Sequence, residues 1–321
     1  MTGITGYGSY VPRYRIERSR IAEQYGDHAR GGETAVPAHD EDVTTMAVEA
    51  ASTALEHGGV SADELGVVYA ATTSDRFDER GVAAHVAHAM GASTDARVGD
   101  FQASARAATN ALLAGRDAVA VDGRPALVVA SDALTAEPGS SAERTAGAGA
   151  GAVVLAPDWS IADFVAAAPA TTGFVGRFSP AAGAVREGDG RFNREQYLAA
   201  VAGAVERLDA EGFDRAAFPS HADWGGKAVD ALGLAADRDS TFDAVGYAAA
   251  GGVLLELAAS LDAAVAGDRL LLVGHGPGGC DAVCLDRTSD STPPTTTETL
   301  LEHSEHVPYG KHRRFREGGV A

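Results

Sequence analysis

The sequence runs to 321 residues, enough for one large or two ordinary domains around a sizeable core. It carries 26 Lys and Arg against 45 Asp and Glu, a formal charge of −19, and just two of the cations, Lys227 and Lys311, are lysines. Such an acidic, lysine-poor surface repels nucleic acid and anionic lipid and suits solubility in high salt, although a GC-rich genome also favours arginine.

The opening residues, Met1-Thr2-Gly3-Ile4, lack a charged region leading into an apolar one, so no signal peptide is expected. No apolar run reaches the ~18 residues of a membrane span, and the cytoplasm is the expected location. From Val43, residues Met46, Ala47, Ala50, Ala51, Ala54 and Leu55 follow helical spacing, with Asp40 and Asp42 as capping carboxylates and Gly58-Gly59 as the stop. Val67 to Ala71 then reads as a buried parallel strand. A second helix is predicted over Ala103 to Leu113, and a strand over Ala126 to Ala130.

The second half repeats this succession. Asn193 and Gln196 resemble a capping box, followed by the stripe Tyr197, Leu198, Val201, Val205 and Leu208. Ala216 to Phe218 is a short strand, Gly251 to Ala266 a helix and Leu270 to Val273 a strand. G-R-P-A-L-V-V-A-S-D and G-D-R-L-L-L-V-G-H-G occupy equivalent places. The duplication predicts an α/β protein of two βαβαβ-type halves, 1–157 and 158–286. Residues 287 to 306, including T-S-D-S-T-P-P-T-T-T-E-T, read as a polar linker to a short basic tail, so 287–321 stand apart. The basic segment Lys311 to Arg316 is either a docking segment or a disordered end.

Several stretches resemble archaeal-type hydroxymethylglutaryl-CoA synthases of the thiolase superfamily. They are G-I-T-G-Y-G-S-Y-V-P-R-Y-R-I at the start, V-P-A-H-D-E-D-V-T-T-M-A-V-E-A-A from Val36, A-S-D-A-L-T-A-E-P-G-S-S-A-E-R-T-A-G-A-G from Ala130, and G-R-F from Gly190. The likeness covers roughly Thr2 to Asp286. It implies a thiolase fold in a layered αβαβα arrangement, usually dimeric, and with the composition it points to a halophilic archaeon. The chemistry it implies needs a cysteine at a helix N-terminus to accept the acyl group, a glutamate for acid/base work and a histidine to polarise the acceptor carbonyl.

Those groups are missing where the motifs place them. In D-F-Q-A-S-A-R-A-A-T-N-A-L the cysteine position falls on Ala105. The glutamate position in Y-A-A-T-T-S falls on Thr73, the histidine position in A-A-F-P-S-H on Pro219, and a fourth site, an asparagine, on Tyr247. Four other residues carry two readings each. Ser104 is a nucleophile if a base activates it, or a helix-start serine bonding a free N–H. His221 reaches the cleft if the strand end bulges, or is a loop histidine without a role. His275, in G-H-G-P-G-G-C, is a catalytic candidate, or only an edge residue of a glycine-rich turn whose backbone N–H groups serve relatives as oxyanion donors. Cys280 is a relocated nucleophile or a buried thiol. Cys280, Cys284 and His275 lack a fourth ligand for a metal, and none is expected. Gly276, Gly278, Arg191 and Arg106 are the candidates for holding coenzyme A.

The absent groups favour a non-catalytic or impaired acyl-CoA-binding subunit. The alternative is an active acyl-CoA acyltransferase, forming carbon–carbon bonds with displaced residues. No resident cofactor is expected beyond a coenzyme A thioester as ligand. The resemblance implies a homodimer, or a heterodimer with a thiolase-fold relative, and leaves room for a zinc-ribbon/OB-fold partner. Neither nucleic acid nor membrane is among the expected partners.

Overall fold

The computed structural model describes residues 2–77, 79–180 and 185–317. Two successions of elements match one for one. The first is β1 (Gly3–Tyr10), α1 (Val43–Gly58), β2 (Val67–Thr72), α2 (Val82–Met90), β3 (Arg97–Gln102), α3 (Ala107–Asp122), β4 (Ala126–Ala133) and β5 (Ala148–Ala156). The second is β6 (Ala162–Thr171), α4 (Gly190–Val205), β7 (Arg215–Ala217), α5 (Gly225–Leu232), β8 (Asp237–Asp239), α6 (Ala249–Ala263), β9 (Arg269–Gly276) and β10 (Gly279–Arg287).

All ten strands join in one mixed sheet, in the order β8-β7-β9-β10-β6-β1-β5-β4-β2-β3. Each half has its second, third and fourth strands parallel and its fifth antiparallel to both the fourth and the first. The parallel pairs need crossovers, which the helices supply. The halves meet where β1 and β6 pair through Gly3 with Asp163 and Ile4 with Ala162.

Side-chain alternation then sorts the layers. Leu127 and Val129 of β4 face α1 and α2, while Val128 and Ala130 face α3 and α6. In the second half, Leu270 and Leu272 face the same central helices, and Leu271 and Val273 face α4 and α5. The central layer holds α3 packed on α6. Helix α6 is apolar nearly all round because it is buried nearly all round. The layered α/β expectation therefore holds.

Five local expectations are corrected. The helix predicted from Ala103 begins at Ala107, because Ala103 to Arg106 form a turn with Ala103 at φ +71°. The helix assigned an Asn193 cap begins at Gly190, and the Asp189 side chain accepts from Phe192 N at 2.9 Å. Asn193 lies inside it, donating its amide to Gly176 O at 3.0 Å. The strand Ala126 to Ala130, which follows the helix after Ala105 and which the thiolase resemblance therefore places at the dimer two-fold axis, is interior, flanked by β2 and β5, and the edge in that half is β3. The stretch 287–306 is anchored: the buried Arg287 donates to Ile161 O, and Thr297, first residue of α7 (Thr297–Glu302), donates its N–H to Asp262 at 2.7 Å.

The basic tail is also folded onto the body, as α8 (Tyr309–Glu317). Tyr309 Oη and Arg313 both donate to the buried Glu143, at 3.0 and 3.1 Å. Arg316 donates to the carbonyls of Leu134, Ala35 and Ala146. Phe315 stacks on Tyr14 and His39. Arg313 and Arg316 are therefore engaged within the chain, Lys311 lies over the Tyr14 ring, and Arg314 is exposed. Residues 318–321 lie outside the described residues. No helix among the described residues is long and apolar enough to cross a membrane.

Candidate active site

The strand ends and helix starts of both halves converge on a cavity of about 770 Å³. Its wall comprises Thr73 to Arg76 after β2, Ala103 to Ala105 before α3, Leu134 to Pro138 after β4, and His275 to Pro277 at the end of β9. Phe174, Arg177, His221, Trp224, Tyr247 and Ala249 are among its other lining residues. Three of the four family-equivalent positions, Thr73, Ala105 and Tyr247, are thus gathered in one place. Pro219 is buried behind the wall and does not line it.

Backbone strain marks both helix starts. Ala103 at φ +71° and Ala249 at φ +40° are non-glycine residues in the left-handed region, at about 1–3 kcal/mol each. Gly276 is needed for close approach: a Cβ there would lie 2.4 Å from Ser104 Oγ and 2.9 Å from Ala105 N. Gly278 supplies the turn's positive φ of +96° and is outside the cavity wall.

Asp132, at the end of β4, ties the frame together. Its Oδ1 accepts from Thr72 Oγ1, Thr73 N, Thr73 Oγ1 and Ser74 Oγ, and its Oδ2 from the N–H groups of Ala250 and Gly251 at the start of α6. Burial pushes this carboxyl upward and the donors pull it back. The Thr73 hydroxyl is engaged by Asp132.

Two histidines enter the cavity from the second half. His275 packs edge-on against the buried Tyr197 at 4.8 Å between centroids. His221 packs against Trp224 at 4.7 Å and Tyr247 at 6.0 Å. It gets there because β7 ends at Ala217 and the Ser220 hydroxyl accepts from Trp224 N at 2.7 Å, turning the loop inward. Burial lowers both imidazoles to about 4, helped by Arg177 for His221 and by His221 for His275. At neutral pH both are uncharged, each with one N–H donor and one lone pair. The Arg177 guanidinium sits 5.2 Å from the Tyr247 ring centroid and donates Nε–H to Glu187 at 3.0 Å.

The remaining candidates fall elsewhere. Ser104 lines the cavity, but its hydroxyl donates to Pro277 O at 3.0 Å and accepts from Arg106 N. Cys280 is fully buried in the core of the second half, its thiol pushed up by that burial, so it is no relocated nucleophile. Cys284 lies in the same core, raised to about 11. Among the described residues no group of three or more potential ligands is assembled for a metal ion. Arg106 is not free for a phosphate: it forms a bidentate bridge to the buried Asp281 at 2.7 and 2.8 Å, tying α3 to β10. Arg191 is an exposed helix residue paired with Glu195, away from the cavity. Sequence reasoning passed over Asp132, Asp75, Arg177 and Tyr197. Asp132 alone left a signal, as an acid closing an otherwise apolar strand.

No family model matches the chain. It is 30% identical to a hydroxymethylglutaryl-CoA synthase of Methanopyrus kandleri, covering 98% of this chain and 97% of that one. It is 31% identical to that of Methanosarcina mazei over 98% and 97%. Among solved structures it resembles an HMG-CoA synthase complexed with CoA (TM-score 0.79, 20% identity, covering 98% of this chain and 89% of that one). It also resembles the 3-oxoacyl-(acyl carrier protein) synthase III of Pseudomonas aeruginosa (TM-score 0.78, 23% identity, 91% and 99%). The folds agree from end to end, and with identity at this level over nearly the whole length, the chain belongs to the hydroxymethylglutaryl-CoA synthase family of the thiolase superfamily.

Proposed function

We propose that the protein binds an acyl-CoA thioester in this cavity and serves acyl-transfer chemistry of the carbon–carbon bond-forming kind with displaced groups. The observation that carries the reading is the convergence of His221 and His275 on the wall that holds Ala105 and Thr73. A neutral imidazole is a poor base at neutral pH but a good N–H donor to a thioester or ketone oxygen as charge develops there. In a buried site that donor acts at low dielectric. The Ala105 methyl forms no thioester, so the route has no acyl-enzyme at that position.

The test incubates the protein with acetyl-CoA and acetoacetyl-CoA at high salt. Condensation product is followed by chromatography, and the protein by intact mass. Product without a covalent adduct, falling about 100-fold in His275→Ala, supports the reading. A second reading, a non-catalytic acyl-CoA-binding subunit paired with a catalytic thiolase-fold relative or a zinc-ribbon/OB-fold protein, is favoured by the engaged Thr73 hydroxyl. Tight binding of acetyl-CoA with no product would select it. An adduct mapped to Ser104 would defeat the non-catalytic reading and make that serine the displaced nucleophile of the first.

A further inference from the structure

We propose that Asp75 is the acid/base residue of the condensation, an assignment that rests on the active reading given above. Asp75 lies two residues beyond Thr73, on the segment that leaves β2, and it lines the cavity. Its Oδ1 accepts a 3.3 Å bond from Phe77 N, while its Oδ2 is buried from solvent with no hydrogen-bond partner. A carboxylate kept for structure would have that oxygen paired, since an unpaired buried acceptor is costly. A carboxylate kept for a reaction needs it free for a C–H proton, and because this oxygen has no exposed surface, rotation of the Asp75 side chain towards the cavity it lines has to present it. The backbone carrying it is fixed, because Asp132 holds Thr73 N and both the Thr73 and Ser74 hydroxyls immediately upstream. Ser74 Oγ in turn accepts from Ala133 N, so the carboxylate has a rigid mount on two strands. Glu137 also lines the cavity but is exposed to solvent.

The step balances without a co-reactant. Oδ2 takes a proton from the carbon next to the thioester carbonyl: the C–H bond breaks, an O–H bond forms, and the electron pair moves onto the carbonyl oxygen as an enolate. An imidazole N–H of His221 or His275 donates to that oxygen. The enolate carbon then adds to the carbonyl of a second acyl group, and the new alkoxide takes the proton back from Asp75, restoring the carboxylate.

The experiment measures deuterium wash-in at the acetyl group of acetyl-CoA in D₂O by mass spectrometry, beside acetyl-CoA binding by calorimetry. The wild-type protein should exchange. Asp75→Asn, close to isosteric, should lose about 100-fold in exchange while binding stays within a few-fold, and Asp75→Glu should recover part of the rate. Wild-type exchange unchanged in Asp75→Asn overturns the assignment and leaves the active reading standing. Wild-type binding without exchange defeats the active reading and the assignment together. An Asp75→Asn variant that loses binding as much as exchange shows a binding role and overturns the acid/base one.

Discussion

Replacing Asp132 by alanine removes six hydrogen bonds at one stroke. The hydroxyls of Thr72, Thr73 and Ser74 can rotate towards other acceptors, but the backbone N–H groups of Thr73, Ala250 and Gly251 cannot. Thr73 is exposed, so water replaces part of its bond. Ala250 and Gly251 sit in the packed centre between the halves, where each unpaired donor costs about 1–3 kcal/mol. With the lost side-chain packing, Asp132→Ala should cost roughly 3–6 kcal/mol, a large share of a typical ~5–15 kcal/mol. Asp132→Asn keeps the acceptor facing Thr73 and Ser74 but turns an NH₂ towards two N–H donors, so it should fall between. Urea unfolding at molar salt, followed by the fluorescence of Trp159 and Trp224, measures the differences. Hydrogen exchange at Ala250 and Gly251 should quicken in step. A loss below about 1 kcal/mol for Asp132→Ala would refute the account, because it would mean the start of α6 finds other partners.

Ala105→Cys should take up one acetyl group from acetyl-CoA, since the cavity reaches that position, yet condense no faster than wild type, because the proposed route runs on the free thioester and not through an acyl-enzyme; a gain in product would contradict this. His221 and His275 titrate near 6.5 when unfolded and about 4 when folded, so their stabilising effect is full above ~6.5 and is lost as pH falls towards 4. Shifts of this size are worth about 3 kcal/mol each. Pairing His221→Gln with His275→Gln should flatten the acid limb of the stability curve, and parallel curves for the two proteins would refute it. The exposed edge strand β3, with Val98 47% accessible, is the expected site of self-association. Val98→Asp should yield monomers by light scattering at molar salt, and a wild-type monomer there would exclude the dimer.

The duplicated fold was legible because strands buried on both faces read as unbroken apolar runs, and those of β4 and β9 are uniform. The start of α3 was not, because the left-handed turn at Ala103 answers to the close approach of Gly276, about 170 residues downstream, and leaves no local trace. Asp189 and Asn193 are both sound caps by chemistry, and only the carbonyl of Gly176, which claims the Asn193 amide, separates them. The stretch after Arg287 looked like a linker because pattern reading counts apolar residues. Its anchors are polar: Arg287 on Ile161, Thr297 on Asp262 and Ser9. At the site, the motif resemblance points to Pro219 as the histidine's position. His221, two residues on, is carried inward by a turn that only the short strand β7 and the Ser220 bond produce.

The place of β1 bears on how the molecule assembles. The first strand in the chain lies in the middle of the finished sheet, bonded to β5 on one side and touching β6 on the other. Neither neighbour exists until residues 148 to 171 are available, so β1 keeps two open, apolar edges through the whole first half of the chain. Closing a loop that long before any reward slows folding, and the waiting strand is the stretch most exposed to wrong pairing in the meantime. Once β5 docks, the first half of the sheet is complete, and within the sheet Gly3 and Ile4 alone pair with the second half. The slow event in refolding should therefore be the capture of β1, with the second half adding afterwards to a template already formed.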